Sequence, residues 1–146
     1  MKIALISLVP GILDFGLRTI SACLKQAGHD VELYFMMKEY HKKYPEKAMD
    51  NLAKLTKGSD LIGISLMTNF FDNAIQITKK LRDNYDFPIL WGGIHPTIRP
   101  EESLDYTDMV CIGESEETFV ELADKMQNKK YYYDVKGMGF NDKGKK

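Results

Sequence analysis

Short apolar runs of strand length alternate along this chain with stretches whose apolar residues recur at helical spacing, and that alternation most limits what the chain can become. The first run, Lys2 to Leu8, is apolar on both faces, as a strand buried inside a parallel sheet must be, and Pro10-Gly11 ends it. From Phe15 the spacing of Leu17, Ile20, Leu24 and Ala27 is helical, and Gly28 supplies a stop. Val31, Leu33 and Phe35 alternate as a second strand. The polar stretch Lys38 to Lys47 then reads as a loop leading into a helix with Ala48, Leu52 and Leu55 on one face. The unit repeats with Asp60 to Ser65 as a strand and Phe70/Phe71, Ala74, Ile77/Thr78 and Leu81 as a helical stripe. Phe87 to Trp91 is a strand with Pro88 at its tolerant first positions, ended by Gly92 and Gly93. Asp108 to Ile112 is another, closed by Gly113. Glu116 to Met126 is a helix facing inward with Phe119, Leu122, Ala123 and Met126. Five βα units follow one another.

Strict alternation implies a parallel sheet covered on both faces through right-handed crossovers. The expected fold is therefore α/β: a three-layer Rossmann-like, flavodoxin-like sandwich with a mainly parallel five-stranded sheet. Its 146 residues fit one domain. The tail differs in character. Tyr131-Tyr132-Tyr133 leads to Val135 to Phe140, which reads as a short C-terminal strand or half a hairpin, and Asn141 to Gly144 has turn composition. The expected division is thus residues 1–130 as the folded module and 131–146 as that strand plus the start of a linker. In such folds ligands bind beyond the carboxyl ends of the strands. The tips to inspect follow Leu8, Ser65, Trp91 and Ile112.

Composition removes several functions. Twenty basic and 21 acidic residues leave a net charge of −1, which offers no field for nucleic acid or anionic lipid. Cys23 and Cys111 match neither a CxxC pair nor a zinc series, and no run reaches the length of a membrane span. A cytoplasmic protein is the expectation. The first-strand tip lacks GxGxxG, a Walker loop and the Ser/Thr-rich flavin phosphate loop, while the first and third tips lack the acidic residues of a receiver domain. No nucleophile elbow is present. Cys111 reads as an inert small hydrophobe within a strand, and His29 and His41 as solvated.

Three tips carry groups that can meet a ligand. Gly92-Gly93-Ile94-His95-Pro96-Thr97 places two glycines where a ligand can lie against main-chain N–H groups, with His95 and Thr97 over the sheet edge; a plain tight turn with a surface histidine is the competing reading. Ser65-Leu66-Met67-Thr68-Asn69 supplies hydroxyls and an amide, or else Thr68 or Asn69 caps the next helix. At Gly113-Glu114-Ser115-Glu116-Glu117-Thr118, Glu114 can accept hydrogen bonds from a neutral ligand, or Ser115 with Thr118 caps a helix whose acidic first turn disfavours phosphate.

Taken in order, the proline-ended first strand, Leu24 to Val31, Asp60 to Thr68, Gly92 to Thr97 and Gly113 to Phe119 resemble the N-terminal cobalamin-binding domain of cobalamin-dependent radical S-adenosylmethionine enzymes, over roughly residues 1–140. That resemblance implies a cobalamin held over the carboxyl edge with its nucleotide tail entering the fold. It implies that Ser65, Met67 and Thr68 line the tail pocket, and that Gly92, Gly93 and His95 pass under the corrin or its amides. Gly113, Glu114 and Glu116 would close the other side, and Val9 and Pro10 would form the wall. On this reading Gly93→Val blocks the corrin with little loss of fold.

The DxHxxG motif of the better-known cobalamin domains is absent, because Gly93 stands two residues before His95; His95 is not assigned as a cobalt ligand. A CxxxCxxC cluster loop is absent too. The resemblance therefore implies a module that is not catalytic alone. S-adenosylmethionine and a 4Fe–4S cluster are expected only in a further C-terminal domain, which would act in cis or in trans on methyl transfer or a related radical reaction. The alternative is a small α/β domain that binds another cofactor such as a flavin, or a protein-interaction domain that has lost cobalamin binding.

Overall fold

In the computed structural model, which describes residues 1–36 and 43–141, one sheet of six strands runs through the molecule in the order β2-β1-β3-β4-β5-β6. Its strands are β1 (Lys2–Ser7), β2 (Asp30–Phe35), β3 (Leu61–Ser65), β4 (Ile89–Gly92), β5 (Met109–Cys111) and β6 (Met138–Phe140). The first five are parallel, and the central ones are the buried runs that are apolar on both faces, while β2 lies at the edge. From β1 the chain steps outward to β2 and then crosses to β3 on the other side. The order thus reverses between β1 and β3, the crevice where such sheets take ligands.

The helices divide between two faces. On one, α2 (Glu46–Thr56) and α3 (Phe71–Asn84) cover Ile6, Ile62, Ile64 and Trp91 through Met49, Leu52, Ala74 and Ile77. The Trp91 indole N–H donates to Thr78 Oγ1 at 2.9 Å, so this bulky ring is buried without losing a hydrogen bond. On the other, α1 (Phe15–Gln26) and α6 (Glu116–Gln127) cover Leu5, Leu61 and Leu90 through Leu17, Leu24, Phe119 and Leu122. Full burial of each such aliphatic side chain contributes about 1.5–3 kcal/mol.

Several sequence expectations are corrected. The inward face of α2 is Met49, Leu52, Ala53 and Thr56, one position round from the expected stripe, and Leu55 is exposed. His29 is buried, not solvated: Nε2 lies 3.1 Å from Asp124 Oδ1 and Nδ1 3.4 Å from the amino terminus. The β4–β5 crossover holds two short helices, α4 (Ile94–Ile98) and α5 (Pro100–Leu104), each too short for a periodic stripe to show. The expected short C-terminal strand is present as β6. It pairs antiparallel with β5, Met109 opposite Phe140 and Cys111 opposite Met138. His41, residues 38–42 of the Lys38–Lys47 loop and residues 142–144 of the turn read from Asn141 lie outside the described residues. Among the described residues no helix is long and apolar enough to cross a membrane.

Candidate functional site

Leu61, Gly63 and Ser65 face the α1/α6 side of β3, as Leu90 and Gly92 do on β4, and the register sets Gly63 beside Leu90 and Ser65 beside Gly92. Two of these positions have no side chain and a third has only a hydroxymethyl group. The sheet therefore carries a trough, walled by Leu17 and Ile20 of α1 and by Phe119 of α6. The resulting cavity, about 460 Å³, opens at the carboxyl edge of the sheet. Its size is that of a small-molecule pocket. A Cβ on Gly92 would stand 4.0 Å from Cys111 Cβ, so that position is roomy, whereas one on Gly63 would meet Leu5 Cδ2 at 2.8 Å and the Phe119 ring at 3.0 Å.

The loops around the mouth are tied to one another. Ser7 Oγ donates to Asp14 Oδ2 at 2.7 Å, while Asp14 Oδ1 accepts the Leu17 N–H and caps α1. The Leu66 N–H donates to the Gly92 carbonyl at 3.0 Å. Thr97 Oγ1 donates to the Gly93 carbonyl at 2.8 Å and accepts the Gly113 N–H at 3.1 Å, which fastens α4 to the tip of β5. Gly93 has φ +100°, and a Cβ there would lie 2.7 Å from the Leu66 carbonyl oxygen. Its lack of a side chain serves loop-to-loop contact as well as the cavity.

Eight of the expected residues line the cavity: Val9, Ser65, Met67, Gly92, Gly93, Gly113, Glu114 and Glu116. Pro10, Thr68 and His95 do not. Thr68 and His95 face a separate recess with Phe71, Arg99 and Glu102. The helix-capping alternatives are not realised either: Thr68 and Asn69 lie in a 3-10 turn ahead of α3, and Ser115 precedes α6 without a side-chain cap, its hydroxyl directed to the Gly113 carbonyl. Sequence reasoning missed Asp14, Leu17, Ile20, Gly63 and Phe119 as lining residues. Gly63 had a usable signal, a lone glycine inside an otherwise bulky strand, which marks close approach to a strand.

His95 is 3% exposed. Its Nδ1 lies 3.3 Å from Thr68 Oγ1, and its ring sits 4.5 Å from that of Phe71. Nε2 has no hydrogen-bond partner and stands 3.8 Å from Glu102 Oε2. Burial lowers the imidazole pKa below its ordinary value, with the Glu102 carboxylate opposing and Arg99 reinforcing. Burial likewise pushes the Cys111 thiol up. Among the described residues no three His, Cys, Asp or Glu side chains are grouped to hold a metal ion. The arrangement suits binding: an apolar trough with hydroxyl, carboxylate and main-chain groups at its mouth.

Known proteins share this architecture. The chain is 26% identical over 136 residues to an uncharacterized methyltransferase of Pyrococcus horikoshii, an alignment covering 89% of this chain and 28% of that protein. A radical S-adenosylmethionine methyltransferase, TsrM, from Kitasatospora setae superposes with a TM-score of 0.82 at 17% identity, over 97% of this chain and 28% of that one. The same enzyme with cobalamin and its iron–sulfur cluster bound gives 0.79 at 17% identity, over 97% and 27%. The methanol:cobalamin methyltransferase complex MtaBC from Methanosarcina barkeri gives 0.57 at 16% identity, over 86% and 45%. At these identities the superpositions speak to fold, and this chain spans 28% of the length of the Pyrococcus methyltransferase and 28% of TsrM. The B12 binding domain model matches residues 1–123, from β1 through most of α6, and so takes in every loop around the cavity. The chain belongs to the B12 binding domain family.

Proposed function

We propose that this chain binds cobalamin at the carboxyl edge of its sheet and presents it to a radical S-adenosylmethionine domain, in the same polypeptide or in a partner. The observation that carries this reading is the trough over Gly63, Ser65 and Gly92. It is a largely apolar recess with hydrogen-bonding groups at its mouth, the chemistry that suits a nucleotide tail beneath a large amide-rich ring. Ser65 and Met67 hold the tail, Gly92 and Gly113 let the ring lie close to main chain, and Glu114 and Glu116 accept hydrogen bonds from its amides. Val9 closes the wall beside β1. Bound cobalamin supplies a cobalt centre able to carry a methyl group. The chain's own residues bind and orient it.

The sequence has two cysteines and no CxxxCxxC loop, so a cluster and S-adenosylmethionine belong to the partner domain in this reading. Methyl transfer or a related radical reaction is the task it supports, in keeping with what the relatives are named for.

Equilibrium dialysis with hydroxocobalamin tests the assignment. The unsubstituted chain is expected to retain the corrinoid and shift its visible spectrum. Gly92→Leu, which fills the trough at a position with room for a side chain, is expected to lose retention while keeping its melting temperature. Retention of a flavin with none of cobalamin would overturn the proposal.

A further inference from the structure

A buried imidazole with one orphan nitrogen needs an explanation, because an unsatisfied polar atom inside a fold costs free energy. His95 is such a group, and it lies beside the cavity, not in it. It belongs to α4, the helix that lends Ile94, Thr97 and Ile98 to the cavity wall. Its Nδ1 contacts Thr68, which follows Met67, another lining residue, on the loop leaving β3. The same two loops share main-chain bonds, Leu66 N–H to the Gly92 carbonyl at 3.0 Å and His95 N–H to the Leu66 carbonyl at 3.4 Å. The imidazole thus spans the two strand tips that form the floor of the mouth.

We infer that His95 is a positioning residue: its ring braces the β3–α3 loop against α4 through Thr68 and so holds the cavity mouth at the width the cofactor needs. The inference rests on the cofactor reading above. The neighbours favour a single tautomer. Glu102 Oε2 at 3.8 Å draws the proton to Nε2, which leaves Nδ1 to accept from the Thr68 hydroxyl. An asparagine amide can reach the Nδ1 position, whereas leucine fills the space without a polar atom. Thr97 does the complementary job on the other side of α4, through Gly113. The polar residues of the Gly92–Thr97 stretch thus fasten one neighbouring loop each.

The test uses His95→Leu, His95→Asn, Thr68→Val and the double variant His95→Leu/Thr68→Val, with two readouts. In dialysis with hydroxocobalamin, His95→Leu and Thr68→Val are each expected to weaken binding about five- to tenfold, the cost of one hydrogen bond. The double variant should be no weaker than the worse single one, and His95→Asn should return to within about twofold of the unsubstituted chain. In the ligand-free protein, amide exchange at Leu66, residue 95 and Thr97 should quicken in both single variants while the amides of β1 keep their protection. Unchanged affinity, additive losses, or faster exchange spread over the whole sheet would overturn the brace. Should the unsubstituted chain retain no cobalamin, the cofactor reading fails, and the exchange pattern alone decides the role of His95.

Discussion

The Leu66 carbonyl oxygen occupies the space that a side chain on Gly93 would need, 2.7 Å from its Cβ position, and Gly93 holds φ at +100°. Both conditions penalise any other residue. Gly93→Ala is therefore expected to lower unfolding stability by at least about 2 kcal/mol, read as a shift in urea midpoint. This revises the sequence expectation for Gly93→Val: that change would damage the loop before it could report on the corrin. An alanine variant with the stability of the unsubstituted chain would refute the packing argument.

Stability should also depend on His95 protonation. Burial holds its pKa in the folded state below the ordinary value of 6.5, with Glu102 opposing and Arg99 adding to the shift; Asp72 lines the same recess. Between the two values the unfolded chain binds more protons than the folded one, so stability is full above about pH 6.5 and declines as the pH falls through that window. Melting temperature is expected to drop from pH 7.5 to 5.5, and to drop less in His95→Asn. Equal slopes in the two proteins would remove His95 as the cause.

Cys111 should be unreactive in the native state. It is 1% exposed within β5, and burial raises its thiol pKa, which suppresses the thiolate that reagents attack. At pH 7.5 a disulfide reagent is expected to modify the half-buried Cys23 first and to reach Cys111 only on a timescale set by unfolding. Rapid titration of both thiols in folded protein would contradict the placement of β5.

The five parallel strands and four of the six helices were legible because each leaves a periodic trace several residues long. Leu17 and Leu24 on α1 and Ala74, Ile77 and Leu81 on α3 are buried as their spacing demands. The α2 stripe slipped by one position because Met49 and Ala53 bury as well as Ala48 and Leu55 would have. The cavity was half legible. Glycines and hydroxyls at strand tips announce a ligand edge, and Val9, Ser65, Met67 and Gly92 indeed line it. The directions of His95 and Thr68 were not readable, since successive residues on a short helix or a 3-10 turn diverge by roughly 100–120° and no stripe fixes the phase. The side walls were hidden for another reason: Leu17 and Phe119 read as ordinary core, and the room beside them comes from Gly92 on the neighbouring strand, where a Cβ would stand 4.0 Å from its nearest neighbour.

Large apolar side chains stand exposed around the mouth. Ile94 and Ile98 line it at about 60% exposure, and Ile12, Leu13 and Phe15 flank the lining residues Asp14 and Gly16. Water wets such a collar poorly. In colloidal terms the ligand-free molecule carries a sticky patch at the place the proposed ligand would cover, so on that reading occupancy would restrain self-association.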